Sequence, residues 1–182
     1  MRVIAGQAKG RRLATPPGRH VRPTGDRVRE ALFNMLEAHL GGLDGLRVAD
    51  LACGSGALGI EALSRGAERC AFVDTSPLSL RTARANLSAV GLAPTSATFV
   101  KDDLLRWAGR QEPGTLDLVL ADPPYAWDGW AGLLSALSGV AGAVAAESDR
   151  EVATAGGWAS LRNRRHGSTV VTVFVADRDS ES

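Results

Sequence analysis

The order of apolar and polar positions divides these 182 residues into short apolar runs separated by segments of helical period. Residues 46–51, 69–73, 97–100 and 116–121 are compact and mostly apolar without alternation, the pattern of strands buried on both faces of a parallel sheet. Between the runs lie amphipathic stretches. Val28, Ala31, Leu32, Met35, Leu36 and His39 fall at i, i+3, i+4, i+7, i+8 and i+11. They make one stripe and leave Arg27 and Arg29 on other faces. Thr24 or Asp26 is the expected cap of this helix, and Gly41-Gly42 its end. A second helix carries Ile60, Ala62 and Leu63 up to Gly66. A third opens on Ser76-Pro77 and ends near Gly91, and a fourth begins at Trp127, Asp128 and Trp130. Residues 143–147 read as a weak, alanine-rich strand. The tail reads as a hairpin: 158–161, then Arg162, Arg164, Arg165 and His166, a turn at Gly167, and the β-branched stretch 169–176. Residues 177–182 are expected to fray. This alternation of strand and helix predicts an α/β fold.

The polar residues that interrupt the pattern fall at strand ends. Asp50 precedes Ala52-Cys53-Gly54-Ser55-Gly56-Ala57-Leu58-Gly59, a strand, Gly-rich turn and helix that let backbone amides approach a ligand closely. Gly-x-Gly is shared with dinucleotide enzymes, but an acid ahead of it suits an amino-acid ammonium better than a pyrophosphate. Asp74 closes the second strand, where it can receive ribose hydroxyls. Lys101-Asp102-Asp103 follows the third, and a carboxylate there can accept a hydrogen bond from an adenine amino group. Each acid alone also reads as a strand-end cap; four of them in a regular alternation read as a site.

The fourth strand runs into Asp122-Pro123-Pro124-Tyr125. Two prolines cannot continue a ladder, so a carboxylate, two backbone carbonyls and an aromatic ring are presented just past the strand's carboxyl end, where open α/β sheets bind ligands. Asp122 and the Pro123 carbonyl can hold an exocyclic amine between two acceptors, which turns its lone pair outward toward an electrophile. Tyr125 offers a face for stacking on the base. The plainer alternative is a Pro-rich turn with Asp122 as the next helix's cap; the Gly-rich loop upstream favours the site.

Length predicts a single domain with one substantial core. No run of about 18 apolar residues exists to span a membrane, and the basic N-terminus is not expected to be a signal peptide. Cys53 and Cys70 lack the partners for a metal site or a disulfide framework, so a cytoplasmic protein without metal is expected. The net charge of +1 conceals an asymmetry, +7 over residues 1–29 against −6 over the rest. Such a basic arm suggests a polyanionic partner. Residues 2–5 and 11–14 could pair as strands around a turn at 6–10; the alternative is a disordered basic tail, against which Val3, Ile4 and Leu13 offer something to pack.

With Asp50, Gly54-Ser-Gly-Ala-Leu-Gly59, Asp74, Asp103 and Asp122-Pro-Pro-Tyr125 in this order, the chain resembles class I S-adenosylmethionine-dependent methyltransferases acting on an exocyclic amine. Met1-Arg-Val-Ile-Ala-Gly6, Lys9-Gly-Arg-Arg-Leu13 and Arg22-Pro-Thr-Gly-Asp-Arg-Val-Arg-Glu-Ala-Leu-Phe33 are similar to a narrower group, the bacterial 16S rRNA guanine-N2 methyltransferases of the RsmD type. The resemblance covers nearly the whole chain. It implies a Rossmann-like α/β fold whose seven-stranded sheet has the order 3-2-1-4-5-7-6, the last strand antiparallel, with a short N-terminal β-hairpin extension. Residues 1–25 would then be a basic RNA-binding extension and 26–182 the methyltransferase domain. It further implies S-adenosylmethionine as cofactor and, as substrate, the N2 of one guanine in 16S rRNA of the small ribosomal subunit or its assembly intermediate, with the protein a monomer.

Carried onto this sequence, the resemblance makes Asp122, Pro123, Pro124 and Tyr125 catalytic. Asp50, Ala52, Cys53, Gly54, Ser55, Gly56, Asp74, Thr75, Asp102, Asp103 and Leu104 would bind the cofactor, with the choice between Asp102 and Asp103 for the adenine left open. Arg2, Lys9, Arg11, Arg12, Arg22, Thr24, Arg27, Arg29 and Arg165 would bind RNA. Three departures stand out: Asp74 where relatives commonly have Glu, Thr75-Ser76 in place of a more polar pattern, and a poor match over 138–158 that leaves the fifth strand least secure. The expected chemistry is direct in-line transfer, and Cys53 has no base beside it in sequence to make it a nucleophile. A DNA adenine-N6 methyltransferase, a non-catalytic RNA-binding assembly factor and, more distantly, a Rossmann dehydrogenase are the competing readings.

Overall fold

The computed structural model describes residues 1–16 and 25–177. Its strands are β1 Arg47–Leu51, β2 Arg69–Asp74, β3 Ala97–Lys101, β4 Leu116–Ala121, β5 Ala141–Ser148, β6 Trp158–His166 and β7 Thr169–Ala176. They form one sheet in the order β3-β2-β1-β4-β5-β7-β6, and β7 alone runs antiparallel to its neighbours. The helices are α1 Asp26–Leu40, α2 Ala57–Ser64, α3 Pro77–Ala89, α4 Leu104–Ala108 and α5 Trp130–Leu137. This is the topology that the resemblance implies.

Helices on both faces explain why the central strands carry so few polar residues. On one face α1, α2 and α3 pack with Leu118, Leu120, Val171 and Val173 of the sheet, and Val3, Ala8 and Leu13 of the N-terminal arm join this core. On the other, α4 and α5 pack with Val119, Ala121, Val144 and Phe174. Leu133, Leu134 and Leu137 of α5 are fully buried there, each stabilising the fold by about 1.5–3 kcal/mol. At the amino ends of β1 and β4, Asp117 accepts from the Arg47 backbone amide at 2.8 Å and from its guanidinium at 2.9 Å through both oxygens. Those bonds hold the Asp117 carboxyl below the ordinary range and fix the register of the two strands that carry the site at their other ends.

Several expectations need correction. The buried stripe of α1 is Val28, Arg29, Leu32, Phe33 and Leu36, while Ala31 and Met35 are half-buried and His39 is exposed. The helix therefore turns toward α2, where Glu61 is wholly buried, and Arg29 is drawn inward to it. Gly25 stands at the N-cap, so Asp26 is the first helical residue and its side chain makes no capping bond; Thr24 lies outside the described residues. The arm is shorter as a hairpin than expected, a single antiparallel bridge between Arg2 and Arg12. The amides of Ile4 and Ala5 turn instead to Glu61, at 2.7 and 3.0 Å. The pattern does not announce α4, which is five residues long and capped by Asp103. Tyr125 and Ala126 form a turn and residues 127–129 are irregular, so α5 starts only at Trp130. The doubtful fifth strand is longer than 143–147 and central, flanked by β4 and β7.

Candidate active site

Parallel strands deliver their carboxyl ends to one edge, and four acids are set along it in the order Asp102, Asp74, Asp50, Asp122, following β3, β2, β1 and β4. Neighbouring loops are tied to each other by backbone hydrogen bonds: Asp102 N to Asp74 O at 3.2 Å, Cys53 N to Val73 O at 3.0 Å, and Asp122 N to Leu51 O at 3.3 Å. Three inter-strand steps of about 4.8 Å make the row roughly 14 Å long. That length accommodates an adenine, a ribose and an amino-acid chain laid end to end, with an acceptor base beyond them.

The loop from β1 to α2 is wound tightly. Ala52, Gly54 and Gly56 have φ of 57°, 54° and 77°. Ala52 is the lone non-glycine with positive φ among the described residues, a strain of about 1–3 kcal/mol of the kind found at ligand-binding loops. A Cβ on Gly56 would lie 2.9 Å from that of Ala83, and one on Gly59 would lie 2.5 Å from the Phe72 ring. Glycine is therefore required at both for α2 to sit against β2 and α3. Asp50 is buried and accepts from the Gly59 amide at 2.9 Å, bracing the first turn of α2. Burial pushes its pKa up to about 8, opposed by that hydrogen bond and assisted by the charge of Asp74. Asp74, also buried, accepts from the amides of Gly54 at 2.9 Å and Ser76 at 2.8 Å, so it fixes the turns on both sides of it. Neither acid pairs with a cation among the described residues, and an arriving cation would find both uncompensated.

At the far end of the row, Asp103 accepts from the amides of Leu105 and Arg106 as the cap of α4. Asp102 accepts from Arg106 at 2.6 Å and from Arg110. Its burial raises the pKa, but those two arginines outweigh it and hold the carboxyl below its usual value. Leu104 is buried as the first residue of α4, while Thr75 is exposed. Cys53 and Cys70 are buried and form no disulfide, and burial raises the Cys70 thiol.

On the acceptor side, Pro123 is buried, Pro124 is exposed, and Asp122 and Tyr125 are half-buried. The Pro124 carbonyl accepts from Trp127 N at 2.8 Å, and the Tyr125 carbonyl from Arg150 at 3.2 Å. The Pro123 carbonyl takes no bond from a described residue. Arg150 also reaches the Trp127 carbonyl at 3.4 Å and Asp128 at 2.7 Å, clasping the whole turn. The Tyr125 hydroxyl meets Thr169 Oγ1 at 2.8 Å. Arg150 and Thr169 carry no motif, and their part in the site is invisible in the sequence.

The basic residues divide. Lys9, Arg11, Arg12, Arg27 and Arg165 are exposed; Arg22 and Thr24 lie outside the described residues. Arg2 is exposed but paired with Asp26 at 3.0 Å. Arg29 does not belong to an RNA surface: it is 1% exposed and bound to Asp26 and the Arg2 carbonyl, with Glu61 at 3.7 Å. Desolvation lowers its pKa, against the pull of Glu61 and Asp26.

Comparison with known proteins agrees with this architecture. The chain is 38% identical to the Bacillus subtilis protein named "Putative rRNA methyltransferase YlbH", over 96% of this chain and 98% of that one. It is 35% identical to Ribosomal RNA small subunit methyltransferase D of Escherichia coli, over 69% of this chain and 60% of that one. The solved structure of YhhF from Escherichia coli superposes with a TM-score of 0.82 at 27% identity, covering 97% of this chain and 98% of that one. The family described as conserved hypothetical protein 95 matches residues 1–175. The chain belongs to that family, the family of the RsmD-type methyltransferases.

Proposed function

We propose that the protein transfers a methyl group from S-adenosylmethionine to the exocyclic N2 of a guanine in 16S rRNA, presented on the small ribosomal subunit or its assembly intermediate. The observation that carries this reading is the juxtaposition of Asp122 and its prolines with the Gly-rich loop, one strand away and hydrogen-bonded to it through Leu51. The relatives named as rRNA methyltransferases support RNA as the substrate class. When bound, S-adenosylmethionine supplies a methyl group on a positively charged sulfur.

The residues of the chain then have distinct tasks. Asp50 and Asp74, uncompensated among the described residues, take the amino-acid ammonium and the ribose hydroxyls. Asp102 takes the adenine amine, because Asp103 is spent on the cap of α4. The exposed arginines that hold Asp102 are cheap to displace, since surface ion pairs contribute about 0–1 kcal/mol. Backbone amides of the Gly-rich turn approach the ligand where side chains would obstruct it.

Asp122 and the Pro123 carbonyl hold the two amine hydrogens, so the N2 lone pair points along the row. With S-adenosylmethionine bound, its methyl would lie in line with that lone pair; the positive charge gained by nitrogen would lie against the Asp122 carboxylate, and the proton that nitrogen then sheds would pass to that carboxylate or to water. Tyr125 stacks on the base, which must be unpaired or flipped to enter. Transfer needs no covalent enzyme intermediate in this geometry.

Asp122→Ala tests the assignment. It should lower transfer by about 10²–10³-fold or more while S-adenosylmethionine still binds. Wild-type activity in that variant would overturn the mechanism.

A further inference from the structure

Several described arginines are neutralised: Arg2, Arg29, Arg47, Arg65, Arg106, Arg110 and Arg150 each have an acid partner. Those of β6 are not. Arg162, Arg164 and Arg165 are exposed on the last strand of the sheet and pair with no acid among the described residues. Two antiparallel steps, β5 to β7 and β7 to β6, make β6 parallel to β1, so it ends at the same edge as the row of acids. There the chain turns at Gly167 and returns through Thr169, whose hydroxyl is bonded to that of Tyr125. Arg165 faces Val170 and Arg164 faces Val171, one and two residues beyond Thr169. At about 3.4 Å per residue, both lie within roughly 7 Å of that link along the strand.

The two arginines also straddle the sheet edge. Val171 belongs to the core beneath α1 and Val170 points the opposite way, so their partners Arg164 and Arg165 project to opposite faces. On the other side of the row, the basic arm is fastened to the Gly-rich loop: Asn86 accepts from Ala14 N at 2.8 Å and donates to the Ser55 carbonyl at 2.9 Å. Uncompensated positive charge thus flanks the candidate site on the cofactor side and on the acceptor side.

We propose that the β6–β7 hairpin is a second RNA-binding element, in which Arg164 and Arg165 grip phosphates on the acceptor side while the arm grips them on the cofactor side. This rests on the RNA methyltransferase reading above. Charged residues on an edge strand also guard against edge-to-edge pairing, but that duty requires no contribution to RNA affinity, so the two are separable.

The test is binding of transcribed 16S RNA across a salt series by wild type, by Arg164→Ala/Arg165→Ala and by Arg11→Ala/Arg12→Ala, with S-adenosylmethionine affinity and melting temperature measured on each. Loss of two phosphate contacts should make the slope of log affinity against log salt shallower by about 1.4–1.8 in the hairpin variant, with cofactor affinity and melting temperature unchanged. A hairpin variant that matches wild type while the arm variant weakens would overturn this inference and leave the function intact. A wild-type protein without salt-dependent RNA binding would overturn the function itself, and this inference with it.

Discussion

Asp50 illustrates how a residue's environment sets what it can do. It is buried with an amide for company and no cation among the described residues, and its carboxyl titrates at about 8. A folded pKa above the unfolded one means that the fold retains a proton the unfolded chain would release. Stability therefore falls as pH rises from the ordinary carboxylate range toward about 8. A cofactor ammonium reaching Asp50 reverses the preference, favouring the ionised form and expelling the proton. S-adenosylmethionine affinity is accordingly predicted to increase between about pH 6 and pH 8, and Asp50→Asn should flatten the profile. A wild-type dissociation constant that does not change over that interval would show that the ammonium is held elsewhere. Asp50, Asp74 and Asp122 were legible in sequence because each closes a strand pattern. Arg29 was not, since its apparent face depends on where α2 hides Glu61, a long-range fact that no periodicity encodes.

Elements carry the second level of organisation, and the arm is the clearest case. It is docked by groups that read as ordinary surface positions of α2 and α3: Glu61 takes two arm amides, Ser64 Oγ accepts from Ala8 N at 2.9 Å and donates to the Ala5 carbonyl, and Asn86 reaches Ala14. Glu61→Ala would take a buried counter-charge from Arg29 and Arg65 and the acceptor from two arm amides, and should cost about 3–5 kcal/mol in denaturant unfolding; a loss within about 1 kcal/mol would contradict this. Gly6→Ala acts more selectively. Its Cβ would fall 1.7 Å from the Ser64 carbonyl oxygen at a φ of +78°, so the arm must lift from α2. RNA affinity should drop while cofactor binding persists, and unchanged RNA affinity would argue against the arm as an RNA element.

The hairpin behaves similarly. Thr169→Val removes one hydrogen bond from Tyr125, worth about 0.5–1.5 kcal/mol. Turnover should fall up to about tenfold with substrate KM less affected, and Thr169→Ser should restore it. Equal turnover in Val and wild type would mean that Tyr125 needs no such support.

At the scale of the whole molecule, the parallel strands were the most legible feature, because a sheet covered on both faces writes nearly continuous apolar runs into the chain, while their order came from the resemblance. The β-branched run of β7 declared itself for the same reason. What escaped reading was the packing between distant segments: the five-residue α4, too short to show a period, and Arg150, which carries no motif yet clasps the turn after Tyr125. In the proposed function these parts make one device, a row of strand-end acids about 14 Å long that would align a cofactor with an acceptor amine, flanked by arginines that would hold a polyanion. The most direct test is transfer of labelled methyl from S-adenosylmethionine to unmodified small ribosomal subunits, naked 16S RNA and plasmid DNA offered in parallel. The account predicts label in the subunit or its RNA, recovered as N2-methylguanosine. Label confined to DNA as N6-methyladenine, or cofactor binding without transfer to any of the three, would contradict it.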